Sequence, residues 1–338
     1  MKSAASILLV VIAFCMVSNC TYQNGAREVI IYTSVDQVFS EPILKDCERE
    51  KGIKVKVVYD VEASKTTGLV NRLIAEKDRP KCDVFWNGEI LRTILLKQKE
   101  ILVPYKSPSA DDIPFQFRDK DQYWTGFAAR ARVLIYNTSM LKEKDLPKSI
   151  FDLTNPKWKG RMAIAYPLFG TTATHVAAMY VNLGKDKTEA YLKALKANEI
   201  VVVDGNSVTR DLVVEGKLPI AFTDTDDVNV AIQSKKPVHM IYPDQDGIGT
   251  LLIPNTVALI KNCPHPNEGK ILIDYLLSRE AEKKLAFSES ANMPVRDKVE
   301  KPPHVPEFSS IKSMEVDYYK VVQSMDEVAV FCQKLFIR

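Results

Sequence analysis

Three aspartates stand within four residues in the stretch LPIAFTDTDDVNVAI, residues 218–232. Asp224, Asp226 and Asp227 follow an apolar run that is typical of a buried strand. Carboxylates are hard oxygen donors that can bind Fe³⁺, Ca²⁺ or Mg²⁺, and they also accept hydrogen bonds from an ammonium group. A single aspartate would be enough to cap the helix predicted to start near Asp227. We therefore expect at least one of the three to face a ligand, in the order Asp226, Asp227, Asp224.

A second set of residues has the chemistry of an anion site. Gly170, Thr171 and Thr172 open a helical stretch in FGTTATHVAA, and Asn206 opens another in DGNSVTRDLV. A helix N-terminus offers free backbone N–H groups and a partial positive charge to an anion. The alternative is that these residues only cap their helices, which is worth about 1 kcal/mol. For Asn206 the pattern favours neither role.

Two arginines lie in the β-rich stretch YWTGFAARARVLIYNT. Arg130 and Arg132 have the same strand parity, so their side chains point to the same face. A guanidinium can bind a carboxylate, phosphate or phosphonate through two parallel hydrogen bonds. We expect Arg130 to bind the ligand, while either arginine could instead form a structural ion pair.

The predicted elements show how these residues could meet. Short strands alternate with helices from residue 28 onward, which indicates a parallel sheet covered on both faces. Ligands of such sheets bind beyond the carboxyl ends of the strands. Polar residues at these ends would bind an anion (Ser34, Ser64, Asn87) or a metal or amine (Asp36, Glu89). Other residues in the same loops are Glu62, Lys65, Thr66 and Trp86.

A second strand–helix block lies between two long β-rich stretches, near residues 124–137 and 248–260. A chain that leaves one lobe, builds another and returns has two connecting strands, which can act as a hinge for a closing cleft. We predict an α/β protein of two lobes with the ligand cleft between them. Lobe 1 would comprise residues 27–128 and 255–300, and lobe 2 residues 129–254 and 301–338.

The N-terminus indicates export. Residues 1–20, MKSAASILLVVIAFCMVSNC, have a basic start and a short apolar centre, as in a signal peptide. The ending VSNC is similar to a lipoprotein signal in which Cys20 becomes lipidated; the alternative is a plain cleaved signal. We predict a protein in the periplasm or at the outer face of the cytoplasmic membrane. The net charge of +3 gives no reason to expect nucleic-acid binding.

The remaining cysteines and histidines carry weaker signals. Cys47, Cys82, Cys263 and Cys332 could form disulfides after export, with Cys47–Cys82 as the favoured pair, or remain buried thiols. His175, His239, His265 and His304 lack metal-ligand spacing, and the pair Tyr318–Tyr319 is interpreted as packing. The sequence contains no GxSxG, HExxH or P-loop motif, so we expect no enzymatic activity.

Five segments together resemble the periplasmic substrate-binding proteins of ABC importers, within the group that binds ferric ion and related small solutes. They are VIIYTSVDQVFSEPILKDCEREKGIKVKVVYD, DVFWNGE, GFAARARVLIYNT, DLTNPKWKGRMAIAYP and LLIPNTVALIKNCPHPNEGKILIDYLLS. The resemblance covers residues 28–296. It implies a type II-like bilobal fold, a monomer without a cofactor, and delivery of a small solute or metal ion to an ABC permease with its ATPase.

The resemblance also implies positions for the ligand. It places a bound anion at residues 170–172 and at Asn206, while ferric-binding relatives hold iron with adjacent tyrosines. This chain has Thr225, Asp226 and Asp227 at the tyrosine segment. Two ligands stay open: ferric iron with a synergistic anion, which we favour, and an amine-containing anion such as an aminophosphonate or amino acid. A lipoprotein sensor on the same fold is a third reading.

Overall fold

The computed structural model of the protein describes residues 27–60 and 66–337. Ten strands of the described chain form one continuous sheet in the order β2-β1-β3-β10-β5-β8-β6-β7, with β4 beside β10 and β9 beside β5. The strands are β1 (Glu28–Thr33), β2 (Lys54–Tyr59), β3 (Val84–Asn87), β4 (Leu102–Val103), β5 (Thr125–Asn137), β6 (Met162–Ala165), β7 (Val201–Val203), β8 (Ile220–Asp224), β9 (Val238–Ile241) and β10 (Leu252–Ile260). The helices are α1 (Gln37–Lys51), α2 (Thr67–Ala75), α3 (Leu91–Gln98), α4 (Gly170–Leu183), α5 (Lys185–Ala197), α6 (Asn206–Val214), α7 (Thr225–Gln233), α8 (Pro266–Leu276), α9 (Arg279–Phe287) and α10 (Tyr318–Leu335).

The first half of the sheet is built from local strand–helix units. Strand β1 pairs in parallel with β2 and β3, and its alternating residues Val29 and Ile31 are fully buried. Helix α1 ends at Gly52, whose φ of 62° is the left-handed conformation that glycine adopts without strain. The parallel pairing brings the carboxyl ends of β1 and β3 together, and the backbone N–H of Ser34 donates to the Trp86 carbonyl at 3.2 Å.

Strand β5 passes from one half of the sheet to the other. Its first part, Thr125–Ala131, pairs antiparallel with β10, and its last part pairs with β8 and β9. Strands β6, β7 and β8 are parallel and are separated by α4, α5 and α6, so they form a second strand–helix unit. Strand β10 then returns the chain to the first half beside β3. Arg130 and Arg132 of β5 lie at the point where the strand changes its pairing partner from β10 to β8.

The C-terminal helix contacts both halves of the molecule. Helix α10 packs mainly on α4 and also on α3. At its start the Tyr318 hydroxyl donates to the Leu252 carbonyl of β10 at 2.8 Å, and the Tyr319 hydroxyl donates to the Asp119 carboxylate. Neither phenol lies among the residues that line the cleft described below. The domain boundaries given above remain predictions.

The favoured disulfide is wrong. Cys47, Cys82, Cys263 and Cys332 are all buried free thiols. Helix α1, which carries Cys47, packs on β2, α8 and α9, whereas Cys82 precedes β3 and its thiol donates to the Val84 carbonyl at 3.1 Å. Burial raises the pKa of the Cys47 thiol to about 12, so it is an inert core group.

The predicted signal, residues 1–20 with Cys20, lies outside the described residues. Across residues 27–60 and 66–337, no helix has both the length and the apolar character needed to cross a bilayer.

Candidate functional site

A polar cleft lies between the two halves of the sheet. Its walls come from the loops after β1 and β3, from β5, and from the first turns of α4, α6 and α7. The lining residues are Ser34, Asp36, Thr66, Glu89, Arg130, Gly170, Thr171, Asn206, Asp224, Asp226 and Asp227. The enclosed volume is about 30 Å³, which is space for about two water molecules. A polar cleft of this size suits an ion.

Several residues proposed from the sequence lie behind the cleft rather than in its lining. Asn87 is fully buried and accepts a hydrogen bond from the Ser34 hydroxyl at 2.7 Å, so it orients Ser34. The Thr225 hydroxyl oxygen accepts from the backbone N–H of Ala131 at 3.1 Å and fixes α7 to β5. Trp86 is fully buried core.

Other proposed residues differ in their placement. The Thr172 hydroxyl oxygen accepts from Arg132 Nη2 at 3.1 Å, which places it beside the cleft and not in its lining. Glu62, Ser64 and Lys65 lie outside the described residues, whereas Thr66 lines the cleft.

Asp224 holds the N-cap position of α7 but its carboxylate does not cap the helix. Its Oδ2 instead accepts from the Thr171 hydroxyl at 2.7 Å and from the Asn206 amide at 3.0 Å. Its Oδ1 accepts from Arg132 Nη1 at 2.6 Å. Burial by itself would raise the pKa of the Asp224 carboxyl, but Arg132, Arg130 and the Thr171 hydroxyl outweigh burial and lower it. Asp224 is therefore a buried, ionised carboxylate.

Arg132 joins the first turns of three helices. Its side chain is fully buried, and Nη1 donates to the Thr171 hydroxyl oxygen at 3.0 Å and to the Asn206 amide oxygen at 3.2 Å as well as to Asp224. Its guanidinium lies over the Phe222 ring at 4.3 Å, a cation–π contact. The sequence offered only one signal for this role, the strand parity shared with Arg130.

Arg130 crosses the cleft between the lobes. Its Nη1 donates to Asp226 Oδ2 at 2.6 Å, and its Nη2 donates to the Gly88 carbonyl at 2.6 Å. A Cβ atom on Gly88 would lie 2.6 Å from Arg130 Nη2, so a larger residue there would displace the guanidinium from this position. Burial would lower the pKa of the guanidinium, but Asp226 and Asp224 raise it above its usual range.

Glu89 makes contacts with both lobes. Its carboxylate accepts from the backbone N–H groups of Leu91 at 2.7 Å and Arg92 at 2.9 Å, at the start of α3. The Thr174 hydroxyl of α4 donates to Glu89 Oε2 at 3.1 Å across the cleft. Glu89 therefore combines the first-turn role expected of any acidic residue with a contact that closes the cleft.

The three aspartates of α7 and β8 form the acidic wall. One oxygen each of Asp224, Asp226 and Asp227 can lie within 4.8 Å of the others. Asp227 Oδ2 accepts from the Thr223 hydroxyl at 3.0 Å, and its Oδ1 lies 3.7 Å from Arg210 Nη1. Such an arrangement of hard oxygen donors can bind a multivalent cation.

His175 packs against Phe222, the ring on which the Arg132 guanidinium is stacked. Its ring centroid is 4.9 Å from that of Phe222, and both ring nitrogens are buried without a hydrogen-bond partner among the described residues. Burial lowers the pKa of His175 to about 3, with a further contribution from Arg132. His175 is a neutral core residue, and it lies outside the cleft lining.

The fold and the cleft define a solute-binding protein. Residues 94–321 match the family model described as bacterial extracellular solute-binding protein, and the chain belongs to that family. Its members are transport components and not enzymes, as the sequence led us to expect.

Individual relatives carry more specific names. The chain is similar to "Iron uptake protein A1" of Synechocystis sp., with 26% identity over 270 residues that cover 77% of this chain and 74% of the relative. It is also similar to the "Putative 2-aminoethylphosphonate-binding periplasmic protein" of Salmonella typhi, with 28% identity over 236 residues, 68% of this chain and 67% of the relative.

A solved structure supports the architecture. The crystal structure of iron-bound HitA from Pseudomonas aeruginosa aligns with a TM-score of 0.83 and 23% identity, over 92% of this chain and 100% of that chain. At 23% identity this structural similarity is evidence for the fold alone, and it confirms the two-lobed α/β architecture predicted from the order of the elements. The predicted class, a solute-binding component of an ABC import system, is confirmed as well.

Proposed function

We propose that this protein captures ferric iron in the cleft between its lobes and delivers it to the permease of an ABC importer. The observation that carries the proposal is the pair of carboxylates Asp226 and Asp227, whose oxygens lie within 4.8 Å of each other and of Asp224, in a cleft of about 30 Å³. Fe³⁺ is a hard ion that prefers oxygen ligands, and the small volume suits an ion. The name of the Synechocystis relative points to the same cargo.

The charge of the cleft supports a cationic cargo. Five lining residues are acidic, whereas Arg130 is its one basic lining residue in the described chain. Arg132, behind the lining, offsets Asp224, and Arg130 offsets Asp226, so the excess of negative charge rests on Asp36, Glu89 and Asp227. Asp226 and Asp227 from the second lobe and Asp36 from the first are the ligands that we propose for the ion. Binding between the lobes would hold them closed.

The mature protein, in our proposal, is a monomer tethered by a lipid on Cys20 at the outer face of the cytoplasmic membrane. The sequence VSNC supports the tether. Substitution of Cys20 by alanine is expected to abolish incorporation of a labelled fatty acid into the protein; a variant that still incorporates the label would contradict lipidation at this residue.

A second candidate cargo is a small anion that carries an amine, such as 2-aminoethylphosphonate. Arg130 lies in the same cleft as Asp36 and Asp227, so a zwitterion could place its anionic end on the guanidinium and its amine on a carboxylate. The name of the Salmonella relative favours this class.

Titration of the metal-free mature protein separates the two. We expect Fe³⁺, supplied as a weak chelate, to stabilise the protein by about 2.7 kcal/mol at 100 times its Kd, and 2-aminoethylphosphonate to have no effect. Asp227→Asn keeps an acceptor for Thr223 and removes the charge, so it should weaken iron binding at little cost in stability. Asp211→Asn, an exposed carboxylate of α6 outside the cleft, is the matched control.

Two results would overturn the assignment to iron. One is stabilisation by the aminophosphonate but not by Fe³⁺. The other is an equal loss of iron affinity in Asp227→Asn and Asp211→Asn, because a purely long-range charge effect would not require the cleft.

A further inference from the structure

The hydrogen-bond donors at the second-lobe wall of the cleft converge on a single side chain. The Thr171 hydroxyl, the Asn206 amide and Arg132 Nη1 donate to the two oxygens of Asp224 over 2.6–3.0 Å. These donors come from α4, α6 and β5, three elements that are far apart in the sequence. Together they form the arrangement that would bind a free oxyanion, and a carboxylate of the protein already occupies it.

Helix capping does not explain the position of this carboxylate. An aspartate at the N-cap normally accepts from the backbone N–H of the second or third helical residue. Asp224 holds that position of α7 and makes no such bond. Its side chain is turned to the neighbouring helices, and it is 2% exposed. The Asp224 carboxylate is thus positioned as an anion bound by α4 and α6. In the first turn of α7, the Asp227 N–H donates to Asp226 Oδ1 at 3.1 Å instead of to Asp224.

Arg132 leaves no accessible guanidinium face for an outside anion. It is fully buried, stacked on Phe222, and its Nη atoms are engaged by Thr171, Thr172, Asn206 and Asp224. An external oxyanion would have to displace a carboxylate that is covalently attached to the same wall, and it would meet the negative charge of Asp226 next to it.

We propose that Asp224 is a built-in anion, which fills the position where Thr171, Asn206 and Arg132 would otherwise hold a free oxyanion. The cleft then takes up a cationic cargo without a co-bound anion. This second statement rests on the proposed function, whereas the first concerns the empty protein alone. It replaces the expectation that Thr171, Thr172 and Asn206 bind a synergistic anion taken from solution.

Removal of the carboxylate should expose the donors. In Asp224→Ala the three donors and the space of the carboxylate become available, so inorganic phosphate or formate should bind to the metal-free variant about tenfold more tightly than to the wild type. The same anions should raise the melting temperature of the variant and leave that of the wild type unchanged. Asp227→Ala is the matched control. It removes one negative charge from the same wall, but it leaves in place the bonds from Thr171, Asn206 and Arg132 to Asp224.

The anion titrations contain no metal, so their outcome does not depend on whether iron is the cargo. Equal binding of phosphate by the wild type and Asp224→Ala would overturn the proposal, and so would a folded Asp224→Ala that binds neither phosphate nor formate. A response of Asp227→Ala equal to that of Asp224→Ala would do the same, because it would reflect net charge alone.

A measurement on the wild type covers the case in which Asp224→Ala fails to fold. Fe³⁺ affinity should be independent of added formate, and a rise in affinity with formate would show that the anion position is open. If the wild type binds no Fe³⁺ while Asp224→Ala gains anion binding, the proposed function fails and the built-in anion stands.

Discussion

The substitution Thr171→Val tests whether the charged network at the cleft stabilises the empty protein. Valine has the shape of threonine, so the change removes a hydroxyl without opening a cavity. The Thr171 hydroxyl donates to Asp224 at 2.7 Å and accepts from Arg132 at 3.0 Å, and the residue is 3% exposed. Both partners are charged and buried.

The magnitude follows from these two bonds to charged groups. A third bond, from the Asn206 amide to the Thr171 hydroxyl oxygen at 2.9 Å, adds little, because that amide also donates to Asp224. A hydrogen bond to a charged group contributes about 1.5–3 kcal/mol net. Asp224 keeps Asn206 and Arg132 as donors after the substitution, so the lower end applies to each bond. We expect a loss of about 3 kcal/mol in the free energy of unfolding, measured by urea denaturation of the metal-free protein.

Thr188→Val is the matched control. Thr188 is fully buried in α5, and its hydroxyl donates only to the neutral Gly184 carbonyl, at 3.0 Å. That carbonyl also accepts from the Thr188 backbone N–H, so it keeps a partner. We expect a loss of about 1 kcal/mol. Equal losses for Thr171→Val and Thr188→Val would refute the reasoning, because the charged partners would then add nothing.

Two further predictions concern buried charge. Asp226→Ala removes the carboxylate that lies 2.6 Å from the buried Arg130 guanidinium, and it should lower the free energy of unfolding by about 3 kcal/mol, measured by urea denaturation. A loss below about 1 kcal/mol would show that Asp224, which lies 3.7 Å from Arg130 Nε, is a sufficient partner. His175 has a pKa of about 3 in the folded protein and an ordinary pKa of 6.5 in the unfolded chain. Below pH 6.5 the unfolded chain therefore binds a proton at His175 that the folded protein does not bind, and the free energy of unfolding falls as the pH drops. Between pH 6.5 and pH 5 this residue should account for about 2 kcal/mol, which His175→Phe should recover; an unchanged pH dependence in that variant would contradict the assignment.

Much of the fold could be read from local pattern. Alternating burial in β1 and the glycine stop of α1 are properties of a few neighbouring residues, and they fix the type and order of the elements. The rule that ligands lie beyond the carboxyl ends of parallel strands then selected residues such as Ser34 and Asp36, which line the cleft. The same rule does not separate the lining from the layer behind it, and so it also selected Asn87, which supports Ser34 from beneath.

Cysteine pairing illustrates the limit of such reasoning. The sequence predicts export to an oxidising compartment and contains four candidate thiols. Whether two of them form a disulfide depends on the distance between the cysteines and on the direction of their side chains. Cys82 directs its thiol to the Val84 carbonyl, and Cys47 lies on a helix that packs elsewhere.

The sequence by itself determined a two-lobed, strand–helix chain with acidic residues after one strand and threonines before one helix, because periodicity and residue type are local properties. Only the tertiary structure decided that Asp224 turns away from its own helix, that Arg132 is enclosed by its neighbours, and that Arg130 pairs with Asp226. The physical reason is that a buried charge takes whichever partner the packing brings within about 3 Å, and partners 39–96 residues apart leave no mark in a local pattern.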